Sequence, residues 1–152
     1  EREALRVAAV LRDIGMLGID RRVLDAPGAL SAERRAVVAR HPLLGESILA
    51  TIGLAPAARI VRAHHERFDG TGYPDRLAGE AIPLGGRILA VADAFVAMTT
   101  ERAYRGALRP AEALAALLEG RGRAYDPRVV DTLVRLGEAG TVSLAATSAV
   151  AT

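Results

Sequence analysis

Apolar positions recur at helical spacing through most of the chain, and no strand-like alternation is apparent. Residues 3–13 (EALRVAAVLRD) predict a first helix, which Gly15 and Gly18 interrupt. The stretch 14–30 reads as loop, with Pro27-Gly28 as a turn. Ser31 is placed to cap a helix running to about His41, because its hydroxyl can accept from unpaired N–H groups of the first turn. Pro42 either opens a second helix or kinks the first, and the pattern continues to Gly53. Residues 56–67 (PAARIVRAHHER) predict another helix, followed by a glycine-rich connection, DGTGYPDRLAGEAIP. The most apolar helix covers 84–100, and two shorter ones cover 110–119 and 127–136, each opening on proline. Residues 138–152 lack periodicity and read as a linker or disordered tail, which leaves one domain over 1–137. The class is all-α.

Composition narrows the chemistry. At 152 residues, 51% apolar and 25% charged, the chain can build one sizeable core. Aromatics are only 3%, so that core is aliphatic. There is no cysteine, which excludes disulfides, thiolate nucleophiles and Cys-ligated zinc. Any metal must sit on His and carboxylate ligands. All twenty basic residues are arginine, and lysine, asparagine and glutamine are absent. That skew reads as GC-rich coding, so the pI of about 9.6 carries little weight. The arginines are scattered among carboxylates without a basic tract, which argues against a nucleic-acid partner. No apolar run is long enough to span a bilayer, and no signal sequence opens the chain. The expected setting is cytoplasmic. The start, Glu1-Arg2-Glu3, reads as a piece of something longer.

The chemistry concentrates in His64-His65-Glu66-Arg67-Phe68-Asp69-Gly70-Thr71-Gly72-Tyr73-Pro74. Adjacent histidines on a helix point roughly 100° apart, so both reach one site only near a helix end. Taken alone, the pair reads as two solvated histidines, and Asp-Gly-x-Gly as a helix end and a turn. His41 beside Pro42 fits capping or packing equally well. Asp93 sits in an otherwise apolar helix, where an ionised carboxylate needs a cation, an arginine or an exposed face.

Together these residues resemble the HD-GYP family, bacterial phosphodiesterases that hydrolyse cyclic di-GMP. Segment 64–74 is similar to the family signature, and the likeness runs over residues 4–136. Arg12-Asp13-Ile14-Gly15-Met16 stands where the family has His-Asp-Ile-Gly-Lys. Arg40-His41-Pro42, the helix from Val91 to Thr99 and the turn Glu101–Arg105 match further landmarks. The resemblance implies a helical bundle of the HD phosphohydrolase type, here lacking its first helical segment. It implies Asp13, His41, His64, His65 and Asp93 as ligands of Fe, Mn or a similar divalent transition metal. It implies Gly72, Tyr73, Pro74, Arg102 and Arg105 as contacts to cyclic di-GMP or a related dinucleotide. It also implies a flanking sensor or output domain.

Three positions depart from the family. Arg12 replaces the namesake histidine, and a guanidinium cannot ligate a cation. Met16 replaces a lysine, and Val96 replaces an aspartate one turn beyond Asp93. The expectation is one metal site rather than two, with Arg12 pairing to Asp93 or Asp13 and hydrolysis impaired. The alternative is a module that binds cyclic di-GMP, or a protein partner, without hydrolysis.

Overall fold

Helices follow the apolar stripes. The computed structural model describes residues 1–25, 28–29, 31–101 and 106–140. Among them the α-helices are α1 (Arg2–Leu11), α2 (Arg21–Leu24), α3 (Ala32–Val38) and α4 (His41–Thr51), then α5 (Ala55–Ala63), α6 (Leu84–Thr99), α7 (Pro110–Glu119) and α8 (Pro127–Glu138). Short 3-10 turns occupy Ile14–Gly18 and Gly79–Ala81. No strand occurs among the described residues, which carry only the isolated bridges Asp69–Ala78 and Arg121–Tyr125. The expected tail lies outside the described residues from position 141 onward.

The chain packs as two units, 1–89 and 90–152, with the division falling inside α6. In the first unit, α1 and α4 pack on α5, burying Ala8, Leu49, Ala57, Ala58 and Val61. Small side chains set that spacing. A Cβ on Gly45 would stand 2.9 Å from Val61 Cγ1, and one on Gly86 would stand 2.9 Å from Ala63 Cβ. The same logic governs the approach of the first 3-10 turn to α4. A Cβ on Gly15 would lie 2.0 Å from His41 O and 2.6 Å from Gly45 N, so only glycine permits this contact. In the second unit, Val91 and Phe95 of α6 pack with Ala113 and Leu117 of α7 and Val130 of α8.

Helix ends differ from the sequence expectation at three places, for local reasons. Ser31 does cap α3, accepting from Arg34 N at 3.3 Å, but the helix stops at Val38 and Pro42 stands in the first turn of α4. Proline lacks the N–H that an interior position needs, and a first turn does not miss it. The helix expected to reach residue 67 ends at Ala63, where Glu66 N donates to Ala63 O at 3.0 Å and tightens the last turn. Within the stretch expected to be loop, α2 forms one turn capped by Asp20, whose carboxylate accepts from Arg22 N at 2.9 Å. Four residues are too few to show a period.

Candidate metal centre

His41 is the first residue of α4, and His64 caps the C-terminal end of α5 just past Ala63. Both are buried, at 1% and 2% exposure. Each ring is oriented by the carbonyl three residues before it. His41 Nδ1 lies 2.9 Å from Val38 O, and His64 Nδ1 lies 2.5 Å from Val61 O. With Nδ1 protonated and donating to the carbonyl, Nε2 is the acceptor nitrogen of each ring. The two Nε2 atoms face each other at 3.4 Å. Two acceptor nitrogens facing each other at that range suit a shared proton or a metal ion. Two nitrogens on a tetrahedral ion with bonds of roughly 2.0–2.1 Å stand about 3.3 Å apart, so the pair fits a metal.

His65 completes the group. The three ring centroids lie 4.0 to 5.3 Å apart, and one ligand atom from each ring falls within 4.8 Å of the others. Burial, then the neighbouring imidazoles and Arg12, push His65 down to about 3. It is therefore neutral near pH 7, the form that ligates a metal. Its ring stacks on Tyr73 at 4.8 Å and 24°. Burial and the Asp13 carboxylate push the Tyr73 phenol up to about 12, so it keeps its proton.

Asp13 brings the carboxylate. It precedes the 3-10 turn that Gly15 allows against α4 and places Oδ1 3.5 Å from His41 Nε2. Its other oxygen, Oδ2, lies 3.4 Å from Arg12 Nε, and Arg12 Nη1 donates to Ala9 O at 3.1 Å. Of the two partners considered for Arg12, Asp13 is thus in contact.

The loop after the histidines is built onto them. A Cβ on Gly72 would stand 2.3 Å from Arg67 N and 2.6 Å from Glu66 Cα. Tyr73 N donates to His65 O at 3.2 Å, and the Tyr73–Pro74 bond is cis. Asp69 accepts from Arg67, from the Thr71 hydroxyl at 2.6 Å and from Thr71 N at 3.0 Å, and these bonds hold its carboxyl well below the usual range. Arg62 of α5 forks onto Asp75, Nε at 2.6 Å and Nη2 at 2.7 Å, and also bonds Glu46 of α4.

That fork gives a pH prediction. Arg62 depresses the Asp75 pKa in the folded state. The pair therefore stabilises fully above the unfolded value of about 3.9, and that contribution disappears as pH falls through the lower folded value. Both side chains are one-third exposed, so screening limits the gain to about 1 kcal/mol. Asp75→Asn is expected to melt about 2–4 °C below the parent at pH 7 and to converge with it toward pH 3. Thermal melts across that range check this.

Within the first unit the structure gathers Asp13, His41, His64 and His65. Asp93 is half-buried on α6 in the second unit, where Val96 is 52% exposed. Met16 is half-buried in the 3-10 turn. Gly72 is buried and Pro74 half-buried, while Arg102 and Arg105 lie outside the described residues. Sequence reasoning did not single out Gly15 as a packing position, nor Glu66 and the Arg62–Asp75 pair. A carboxylate after two histidines reads as a solvated face, and partners thirteen residues apart leave no sequence signal.

The chain belongs to the HD domain family, whose model matches residues 1–129, and within it to the HD-GYP type. It is 46% identical over 134 residues to the cyclic di-GMP phosphodiesterase response regulator RpfG of Xanthomonas campestris, covering 86% of this chain and 35% of that protein. It is also 46% identical over 125 residues to 3'3'-cGAMP-specific phosphodiesterase 3 of Vibrio cholerae, covering 81% of this chain and 27% of that one. The chain thus spans between about a quarter and a third of the length of these relatives. A solved cyclic GMP-AMP specific phosphodiesterase of V. cholerae superposes with a TM-score of 0.65 over 89% of this chain and 38% of its own, at 21% identity, which establishes the helical fold. No helix among the described residues is long and apolar enough to cross a membrane.

Proposed function

We propose that this chain is a metal-dependent phosphodiesterase domain acting on cyclic di-GMP or a closely related cyclic dinucleotide. The observation that carries the proposal is the convergence of His41 Nε2 and His64 Nε2 at 3.4 Å, with His65 and Asp13 alongside. Asp13, His41, His64 and His65 would hold one divalent transition metal, Fe, Mn or similar. Bound there, the ion would supply Lewis acidity toward a phosphoryl oxygen and acidify the water that attacks phosphorus. The protein's own groups do the rest. The Val38 and Val61 carbonyls fix the tautomers of His41 and His64, so both present lone pairs without reorganisation. Arg12 stands where a second ligand histidine would be expected, and its permanent charge beside Asp13 suits neutralising a phosphate. Tyr73 covers one face of His65 and offers a protonated hydroxyl to a substrate oxygen. Relatives matched over only part of their length support a flanking sensor or output domain in a longer chain.

The second reading, a module that binds the dinucleotide without hydrolysing it, is favoured by one observation. Arg12 Nε stands 3.4 Å from Asp13 Oδ2, so its fixed positive charge competes with a metal for that carboxylate. Incubation of the metal-loaded chain with cyclic di-GMP, followed by chromatography for linear product, separates the two. Product that appears with metal and disappears with chelator supports the phosphodiesterase. A nucleotide retained intact with measurable affinity favours the binding module.

A further inference from the structure

Glu66 directly follows the histidine pair and is 3% exposed. Both oxygens of its buried carboxylate are committed to backbone. One accepts from Asp75 N–H at 2.6 Å and the other from Leu77 N–H at 3.1 Å. An ionised carboxylate is acceptor-only, so it satisfies two converging N–H donors and forms strong, short bonds with them. Those donors lie on the outgoing limb of the loop that carries Tyr73. The incoming limb is fastened as well: Gly72 lies against the backbone of Glu66 and Arg67, and Tyr73 N–H reaches His65 O. Tyr73 therefore stands between two attachments to residues 65–67, with its ring on the ring of His65. His41 and His64 are oriented through Nδ1 by a carbonyl, whereas His65 is oriented by Tyr73.

We propose that Glu66 is a positioning residue for the metal centre, holding Tyr73 against His65 by clamping the Asp75 and Leu77 N–H groups and so fixing the His65 imidazole for ligation. This rests on the reading of His41, His64, His65 and Asp13 as metal ligands. Groups that orient a ligand without touching the metal change affinity by about 10–100-fold when removed.

The test titrates the metal-free, intact chain with Co²⁺ and follows both affinity and the visible absorption band. Glu66→Gln keeps the shape but offers one acceptor oxygen and turns an NH₂ toward the other donor. It is expected to bind Co²⁺ at least about tenfold more weakly, with a changed visible band. Tyr73→Leu, which leaves Glu66 and its bonds in place, is expected to lose a similar factor. The double variant is expected to be no weaker than the weaker single one, because both act through one loop. Unchanged affinity and spectrum in Glu66→Gln overturn the proposal, and so does a fully additive double variant. If Glu66→Gln does not fold, Tyr73→Leu decides: undiminished Co²⁺ affinity overturns it. A parent chain that takes no Co²⁺ overturns the metal-centre reading itself. A parent that binds beside a Glu66→Gln that binds equally well overturns this inference alone.

Discussion

His64→Ala is expected to leave the chain unable to hold its metal, with affinity for Co²⁺ or Mn²⁺ falling by more than about 100-fold. Loss of an outer partner reaches that figure, and loss of a ligand exceeds it. His64 is the hinge of the group. It follows the last residue of α5, its ring is held by Val61 O, and its Nε2 is the atom that faces His41. Alanine also leaves His41 facing a buried gap where an acceptor stood. Hydrolysis of cyclic di-GMP is expected to fall to background while the helical signal in far-UV circular dichroism persists. Metal titration beside a nucleotide assay checks both halves. Retained metal binding would mean that the ion sits elsewhere.

Gly15→Ala is expected to unfold the first unit or weaken it severely. The added methyl would stand 2.0 Å from His41 O and 2.6 Å from Gly45 N, and both neighbours are backbone. Backbone gives way less readily than a flexible side chain, so the substitution is placed at the upper end of overpacking penalties, about 3 kcal/mol or more. Relief can come only by moving the 3-10 turn off α4, which carries Asp13 away from His41. The variant should therefore lose both stability and metal affinity. Gly28→Ala is the control: its Cβ would meet nothing within 4 Å, and any effect comes from its φ of +84° alone. Urea unfolding of both variants decides the comparison. A Gly15→Ala chain as stable as the parent would contradict the packing described.

Most helices were legible because each buries one stripe. Residues 3–13, 84–100 and 110–119 were readable within a residue or two of α1, α6 and α7 for that reason. Their ends were less so, since they depend on single contacts. The stop at Ala63 comes from a 3-10 bond made by Glu66 N, which periodicity does not register. That stop matters for chemistry. Adjacent histidines on a continuing helix would diverge, whereas here His64 and His65 lie past its end with ring centroids 4.0 Å apart. The candidate site came into view through the family resemblance, since the histidines taken alone left solvated and packing roles open. What holds it did not show: Gly15 read as a helix breaker, and the burial of Glu66 arises only once the loop folds back to residue 77. Arg12 was legible as a departure, and its contact with Asp13 needed the fold.

The central claim is a single metal on Asp13, His41, His64 and His65, with the Arg12 guanidinium as the second positive charge. The measurement that tests it most directly is metal content per chain, by elemental analysis of protein purified without oxygen and without a chelating tag. About one divalent transition metal per chain is predicted, falling to none in His64→Ala. A parent chain free of metal would contradict the centre, and about two per chain would contradict the part assigned to Arg12.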